Sequence, residues 1–202
     1  MTKKYAYDVI YIGGGHASFD GAELLAKTGQ KVALITDDLI GGTCTNRGCN
    51  AKITLDAPVN LQRAVNRMQG LVHGEITIDW PALVAHKKEV IKDLPKGTEN
   101  KLTNAGVEIF RGHASLIGPH TVQIDGQTKY SAEKIVIGTG QHPNRLQIPG
   151  SELAHDSSEF MDLTEMPHNI AIVGAGYISY EFATIANAVG ANVTVFMHGD
   201  QG

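Results

Sequence analysis

The 202-residue chain has the composition of a globular protein and a small negative charge. Hydrophobic residues make up 42% and charged residues 19%, which excludes a disordered, fibrous or coiled-coil chain. Lys plus Arg is 17 and Asp plus Glu is 21, and the resulting net charge of −4 disfavours binding to nucleic acid through its phosphates. We expect a cytoplasmic protein without a membrane contact, because no apolar run approaches the roughly 20 residues of a membrane span and the N-terminus does not read as a signal peptide.

The first predicted unit is a strand, a glycine-rich turn, a helix and a second strand. An apolar run over 7–12 leads into GGGHAS at 13–18, a helical pattern covers 19–28, and a second apolar run covers 31–36. This context is typical of a dinucleotide-binding turn. Gly13 is expected to make the sharp turn and Gly15 to let the backbone approach a pyrophosphate at the helix N-terminus. Ser18 stands where a third glycine is common, so helix–strand packing must accommodate its side chain.

A carboxylate that binds ribose hydroxyls is expected where the second strand ends. Thr36 occupies that end, and Asp37 and Asp38 follow it. We nominate Asp37 for this role. The alternative is an α/β protein whose glycine turn binds no dinucleotide.

The two cysteines, Cys44 and Cys49, lie in GGTCTNRGC at 41–49. Their spacing suits neither a structural disulfide scaffold nor a zinc site, so we expect no metal. A redox-active pair requires a break between them, because residues five apart in an ideal helix differ by about 7.5 Å in rise, whereas disulfide-bonded Cα atoms lie within about 7 Å. Gly48 is placed to supply that break. Spacing alone leaves open two unrelated thiols at the start of a helix.

The middle of the chain reads as helices followed by a ribbon and a linker. Helical spacing covers 53–68 and then 80–105, where Pro95 is a point at which the helix can kink. Short strands over 107–124 and 130–137 are expected to form an antiparallel ribbon and the return to the sheet. The acidic segment 156–167 reads as part of a linker.

The strand–turn–helix–strand pattern recurs near the C-terminus. An apolar run over 169–173 leads into GAGYIS at 174–179, and a helical pattern over 180–189 precedes an apolar run over 191–196. Two such units in order imply two dinucleotide sites. The last strand is followed by Met197 and His198 rather than by a carboxylate, which favours NADPH over NADH.

Taken together, these motifs resemble the pyridine nucleotide-disulfide oxidoreductases, the group that contains glutathione reductase, dihydrolipoamide dehydrogenase and mercuric reductase. The resemblance extends over essentially the whole chain and is carried by GGTCTNRGC at 41–49, GHA at 112–114, IVIGTGQHP at 135–143, IPG at 148–150 and GAGYISYEFA at 174–183. It implies an α/β fold. A Rossmann-like FAD-binding domain, a parallel sheet with an antiparallel insert, would cover 1–150, a linker 151–167, and the start of a second Rossmann-like NAD(P)-binding domain 168–202.

The resemblance also implies roles for individual residues. Cys49 would face the flavin, Cys44 would be the interchange thiol that attacks a substrate disulfide, and Lys52 would pair with Glu181 beside the flavin ring. Tyr177 would cover the flavin until nicotinamide displaces it. The implied cofactor-binding residues are Gly13, Gly15, Ser18, Asp37, Gly42, Thr43, His113, Ala114, Thr139 and Gly140 for FAD, and Gly174, Gly176, Tyr177, Ile178 and His198 for the nicotinamide nucleotide. The structural alternatives are a solvated Lys52, a surface Glu181 and a core-packed Tyr177.

The implied function is electron transfer from NAD(P)H through FAD to a Cys44–Cys49 disulfide, and then to a disulfide of a small molecule or small protein, or to a related acceptor. One alternative is a dihydrolipoamide dehydrogenase that reduces NAD, and another is a non-catalytic nucleotide-binding fragment. Because family members are more than twice this long, we expect the chain to be an N-terminal portion that cannot turn over alone. We also expect a parent homodimer formed through a domain absent here.

Four residues depart from the family pattern. Asn50 and Ala51 stand where an aliphatic residue and a proline are common. Arg47 lies between the cysteines, where it is expected either to lower a neighbouring thiol pKa or to reach solvent. Glu23 occupies the first-helix position at which glutathione reductases carry an arginine that meets the tripeptide's carboxylate, which counts against glutathione as the substrate.

Overall fold

The computed structural model describes residues 4–197 and 199. The chain divides into two compact units, Met1–Asn50 with Ile91–His142 and Ala51–Val90 with Pro143–Gly202. Both units are discontinuous in sequence, so the expected boundaries at 150 and 167 stay predictions. The helices and strands are β1 (Tyr7–Ile12), α1 (His16–Lys27), β2 (Val32–Thr36), α2 (Gly42–Arg47), α3 (Cys49–Arg67), α4 (Trp80–Ile91), α5 (Leu94–Asn104), β3 (Glu108–Arg111), β4 (Ala114–Gly118), β5 (Thr121–Ile124), β6 (Thr128–Ile137), α6 (Ser157–Met161), β7 (Asn169–Val173), α7 (Tyr177–Ala188) and β8 (Asn192–Phe196).

The first unit contains a six-stranded mixed sheet in the order β3-β2-β1-β6-β5-β4. Strands β3, β2, β1 and β6 are parallel, and Ile10 of β1 pairs with both Ala33 of β2 and Ile135 of β6. Strands β4 and β5 join β6 in an antiparallel ribbon. The α/β class and the Rossmann-like first domain with an antiparallel insert are thereby confirmed.

The core lies on both faces of β1 and β2, whose residues are almost all buried because the sheet is covered on each side. On one face Ile10 and Ile35 pack with Val122 of the ribbon. On the other face Leu34 packs with Ala22 of α1 and other apolar residues. Because β1, β2 and β6 are parallel, their carboxyl ends lie at one edge of the sheet.

Two predicted segments have a different structure. The single helix expected over 80–105 is two helices, α4 and α5, and Pro95 lies in the first turn of α5, where its missing N–H costs no hydrogen bond. Strand β3 was expected near the ribbon but pairs with β2 in the parallel sheet. Strand β6 belongs to both the ribbon and the parallel sheet, since residues 128–131 pair with β5 and residues 132–137 pair with β1.

The second unit contains most of α3 and α4, together with α6 and a two-stranded parallel sheet, β7-β8, connected by α7. An aromatic cluster joins three of its helices: Phe160 of α6 lies 6.0 Å from Trp80 of α4 and 4.4 Å from Phe182 of α7, measured between ring centroids. Part of the expected linker therefore packs into this unit, since Phe160 and Met161 are buried. Within 4–197 and 199, no helix combines the length and apolar character that a bilayer crossing requires.

Candidate functional site

The first glycine turn is enclosed by backbone. Gly13 has φ +99°, and a Cβ on it would overlap the carbonyl oxygen of Gly138 and lie 2.7 Å from its carbonyl carbon. The Gly13 N–H donates to Ile35 O at 2.8 Å, and the Gly138 N–H donates to Ile12 O at the same distance. Gly13 is therefore the residue at which the ends of β1, β2 and β6 meet, and no side chain fits there.

The start of the cysteine helix touches this turn. Gly42, the first residue of α2, has φ +61°, and its Cβ would lie 2.7 Å from the Gly15 Cα. Gly41 donates its N–H to Gly14 O at 2.8 Å. By contrast, a Cβ on Gly15 would meet only the Gly42 Cα at 3.7 Å, so the fold itself leaves space at Gly15. The two glycine segments form a backbone-lined cradle.

The N-terminus of α1 opens into the same place. Gly15 is its N-cap in extended conformation, and no side chain caps the first turn. Uncapped N–H groups and the positive end of the helix dipole bind anions such as a pyrophosphate. The cradle and the uncapped helix end thus fit the pyrophosphate of FAD in shape and charge.

Ser18 is fully buried, and its Oγ has no hydrogen-bond partner among the described residues. It faces Gly138, where a Cβ would overlap the Ser18 Oγ. Gly138, the residue after β6, therefore provides the room for the Ser18 side chain that a third glycine in the turn would have made unnecessary. Sequence reasoning identified the problem at Ser18 but missed Gly138, although the latter lies in the IVIGTG segment.

Beyond β2, two residues predicted separately lie together. The Asp37 carboxylate is 3.0 Å from the His113 Nδ1, and both side chains are exposed. Thr36 at the strand end is buried instead, with its hydroxyl 3.2 Å from the backbone N–H and carbonyl of Asp38. Of these residues Asp37 presents an accessible carboxylate, as the ribose site requires. Ala114 follows in β4.

The carboxyl end of β6 contributes the next predicted pair. Thr139 and Gly140 come after Gly138, the residue that follows β6 and packs against the first glycine turn. Both are exposed, and Gly140 has φ +75°. Ligands of open parallel sheets bind outside the carboxyl ends of the strands, so this edge is the expected position of a dinucleotide.

The cysteines lie on either side of a helix break. Helix α2 ends at Arg47 and α3 begins at Cys49, while Gly48 between them is not helical. A Cβ on Gly48 would lie 2.8 Å from Thr43 O and 3.1 Å from the Cys44 Cα, so only glycine fits. The predicted break is confirmed. Cys44 is half-buried and Cys49 exposed, and the structure records both as thiols, so the disulfide stays a prediction.

Arg47 has a partner that the sequence did not reveal. Its Nη2 pairs with the Asp38 Oδ2. Burial alone would raise the pKa of Asp38, but the Arg47 hydrogen bond and charge and the Leu39 N–H together lower it below its usual value. The sequence analysis expected Arg47 either to lower a neighbouring thiol pKa or to reach solvent, and neither expectation included a contact with Asp38.

The second unit brings together the other predicted catalytic residues. Lys52 Nζ donates to Glu181 Oε2 at 2.6 Å and lies 5.9 Å from the centre of the Tyr177 ring. The expected Lys52–Glu181 contact is present, and their catalytic role stays a prediction. Tyr177 is 71% exposed, which removes the alternative of a core-packed residue.

The second glycine turn has more open surroundings. Gly174 has φ +101°. A Cβ added to Gly174, or to Gly176 at the N-cap of α7, would have no described atom within 4 Å other than its chain neighbours and the backbone of its own helix. Ile178 is 39% exposed in the first turn of α7. His198 lies outside the described residues. Among those that the structure describes, no group of three His, Cys, Asp or Glu side chains could hold a metal.

Comparison with known proteins agrees with this geometry. A family profile described as "Pyridine nucleotide-disulphide oxidoreductase" matches residues 7–201. A glutathione reductase from Nostoc sp. is 34% identical over 98% of this chain and 43% of its own length. A dihydrolipoyl dehydrogenase from Acholeplasma laidlawii is 30% identical over 96% of this chain and 60% of its own length.

A solved structure is similar as well. The HOCl-induced flavoprotein disulfide reductase RclA from Escherichia coli aligns with a TM-score of 0.82 and 30% identity, over 94% of this chain and 41% of that chain. The chain thus spans less than two thirds of the length of each relative described here.

Proposed function

The chain belongs to the pyridine nucleotide-disulphide oxidoreductase family, and we propose that it serves a FAD-dependent enzyme that passes electrons from NAD(P)H to a disulfide. The observation that carries this proposal is the backbone contact between Gly15 and Gly42. It joins an anion-binding helix end to the first residue of the helix that carries Cys44. A pyrophosphate bound there lies next to the redox-active segment within the same unit.

Several residues of the first unit would bind FAD, which supplies a two-electron carrier between a hydride donor and a disulfide. The α1 N–H groups would hold its pyrophosphate, with the glycines of the cradle, Ser18 and Thr43 around it. Asp37 would accept hydrogen bonds from ribose hydroxyls. His113 and Ala114 would contact the adenine half of FAD, and Thr139 and Gly140 would close over its flavin.

The cysteines would carry out thiol–disulfide exchange. The Cys44 thiolate attacks one sulfur of the substrate disulfide, forms a mixed disulfide and releases one thiolate. The Cys49 thiolate then attacks the Cys44 sulfur, which forms the Cys44–Cys49 disulfide and releases the second thiolate. The exposure of Cys49 and partial exposure of Cys44 permit both steps.

The Lys52–Glu181 pair and the nicotinamide turn of the second unit would take the roles that the family resemblance implies. A cation at Lys52 would favour negative charge on a bound flavin, and Glu181 would hold that cation through the hydrogen bond between them. The nicotinamide nucleotide would be bound by Gly174, Gly176, Tyr177, Ile178 and His198.

We propose NADPH as the preferred donor, supported by the absence of a carboxylate at Met197, the first residue after β8. Reduction rates with NADPH and NADH test this, and a clear preference for NADH would contradict it.

The flavin test compares matched glycine variants. Because Gly15 has room for a methyl group in the protein, Gly15→Ala should leave the melting temperature of the flavin-free protein unchanged. The same methyl would point into the cradle, so we expect FAD affinity to fall at least 10-fold, measured by flavin fluorescence. Gly176→Ala, in the second turn, is the control and should bind FAD normally. Equal affinity in Gly15→Ala and wild type would contradict the proposed site.

A spectroscopic test separates the two sulfurs. In the flavin-bound protein reduced by dithionite or NADPH, we expect a long-wavelength thiolate-to-flavin charge-transfer band. Cys49→Ser should abolish the band, whereas Cys44→Ser, in which Cys49 cannot form the disulfide, should show the band before any reductant is added. A band that persists in Cys49→Ser would contradict the assignment of that sulfur.

We propose that the acceptor is a disulfide other than that of glutathione. Glu23 places a negative charge at the first-helix position where glutathione reductases carry an arginine. The hydrogen bond from Lys27 lowers the pKa of the Glu23 carboxyl, which keeps it ionised. Turnover of the intact parent enzyme with oxidised glutathione, lipoamide, coenzyme A disulfide and Hg(II) identifies the acceptor. Preferred turnover of lipoamide would favour the alternative of a dihydrolipoamide dehydrogenase. Analytical ultracentrifugation of the intact parent enzyme tests the expected homodimer.

A further inference from the structure

The segment between the two cysteines is attached, at its C-terminal end, to the loop that follows β2. The guanidinium of Arg47, the last residue of α2, pairs with the Asp38 carboxylate. One residue earlier, the Asn46 Nδ2 donates to Ile40 O at 3.2 Å and to Leu39 O at 3.4 Å. Two consecutive side chains of α2 thus hold three consecutive loop residues directly before the helix break. We call these contacts the α2 anchor.

The loop side of the α2 anchor is itself fixed by β2 and β3. The Asp38 backbone N–H and carbonyl both lie 3.2 Å from the Thr36 hydroxyl, and the carbonyl also accepts from Arg111 Nη1 at 3.0 Å. The Asp38 Oδ1 accepts the Leu39 N–H at 2.7 Å, and Oδ2 pairs with Arg47. An isolated surface ion pair contributes little, partly because two mobile side chains must be ordered. Here the carboxylate is already ordered, so the pair restrains α2.

The helix break brings the surroundings of the two cysteines together. Both cysteines and the α2 anchor belong to the first unit. A Cβ on Gly48 would lie 3.1 Å from the Cys44 Cα, so the residue before Cys49 packs on the backbone of Cys44. A disulfide forms only within a narrow range of Cα separation and dihedral angle. The position of the end of α2 relative to the start of α3 therefore sets the effective concentration of one thiol at the other.

We propose that Asp38 and Arg47 are positioning residues that hold the end of α2 where the Cys44–Cys49 disulfide forms, and so lower the reduction potential of this pair. The proposal rests on the proposed function, in which these cysteines exchange with a substrate disulfide. Without the ion pair, the end of α2 moves more freely against the start of α3, and fewer conformers have both sulfurs in bonding geometry. The dithiol then becomes more favoured relative to the disulfide.

The test is the equilibrium between dithiol and disulfide in the full chain, in buffers of reduced and oxidised dithiothreitol at pH 7. The Cys44 and Cys49 thiols lose two protons and two electrons as the S–S bond forms, and the buffer disulfide takes these up to become a dithiol. Acid quenching, alkylation of the remaining thiols and mass spectrometry quantify the two forms. Asp38→Asn and Arg47→Gln should each lower the equilibrium constant for disulfide formation about 3-fold, which raises the potential by about 14 mV.

The two variants distinguish the anchor from a direct charge effect because they remove charges of opposite sign. If the charges acted on a thiolate, Arg47→Gln would destabilise the thiolate and lower the potential, whereas Asp38→Asn would raise it. The ion pair is broken in both variants, so both potentials should rise, and the double variant should shift little further. Asp38→Glu, which keeps the carboxylate, should stay near wild type. Lys96→Gln, which removes an exposed cation of α5 that pairs with Glu99, is the matched control.

Hydrogen exchange measures the anchor itself. Amides of residues 42–47 should exchange faster in both variants, while those of β1 stay protected. Unchanged exchange in 42–47, opposite shifts of potential in the two variants, or equal potentials in variants and wild type would each overturn the proposal. A wild-type chain that forms no Cys44–Cys49 disulfide would instead contradict the proposed function, and this proposal with it.

Discussion

The two glycine turns share a motif but depend on it for different reasons. Gly13 and Gly174 have φ of +99° and +101°, so both adopt a conformation that side chains disfavour. A Cβ on Gly13 would also overlap the Gly138 carbonyl, whereas one on Gly174 would meet no other described atom within 4 Å. The motif thus specifies the backbone angle in both turns, but it is required for close packing only where a neighbouring strand, β6, approaches.

The largest expected effect comes from breaking the enclosed turn. Gly13→Ala combines backbone strain with a backbone clash, so we expect it to lower the free energy of unfolding by about 3–4 kcal/mol. Gly174→Ala adds strain alone and should cost about 1–2 kcal/mol. Urea denaturation followed by circular dichroism measures both, and Gly176→Ala is the neutral control. Equal losses in the two turns would contradict the difference in packing.

In the second unit we expect an aromatic contact to matter more than the glycine turn. Phe182 is 7% exposed and stacks on Phe160, so Phe182→Ala should cost about 3 kcal/mol through the cavity that it leaves. Tyr177, in the same helix, is mostly exposed, so Tyr177→Ala should change stability by no more than about 0.5 kcal/mol. The comparison fails if Gly174→Ala destabilises more than Phe182→Ala in the same urea titration.

A smaller effect is expected at the buried lysine of the second unit. Lys87 is 2% exposed and donates to Asp162 Oδ1 at 2.7 Å. Asp162→Asn leaves this ammonium buried without its carboxylate and should cost about 1–2 kcal/mol, since partial exposure of Asp162 reduces the penalty. Lys87→Met removes the charge and should cost less. Thermal melts rank the two variants, and a costlier Lys87→Met would contradict this reasoning.

The smallest effect is the acid sensitivity of the Asp38–Arg47 pair. The folded-state pKa of Asp38 is lowered, so its stabilisation is present above the unfolded pKa of about 3.9 and is lost as the pH falls through the lower folded value. For a partly exposed pair this amounts to about 0.2–1 kcal/mol. Asp38→Asn should therefore flatten the fall in melting temperature below about pH 4. An unchanged acid profile would contradict the folded-state pKa shift.

Local sequence patterns predicted most of the elements but not every boundary. The runs before each glycine turn are β1 and β7, and the break at Gly48 followed from the rise of an ideal helix. The prediction of a single helix over 80–105 was wrong, because Pro95 is as compatible with the start of a new helix as with a kink. The expected placement of β3 in the ribbon was wrong, since a four-residue strand carries no signal for which neighbour it pairs with.

By itself, the sequence determined the order of elements, the positions that require glycine and the family resemblance, because each depends on residues close together in the chain. Only the tertiary structure decided which distant side chains meet: Asp37 with His113, 76 residues apart, and Ser18 against Gly138. Even the Arg47–Asp38 contact, across nine residues, depends on how the loop after β2 returns along α2. The physical reason is that backbone preferences act over a few residues, whereas the pairing of charges and the sharing of space depend on the folded path of the chain.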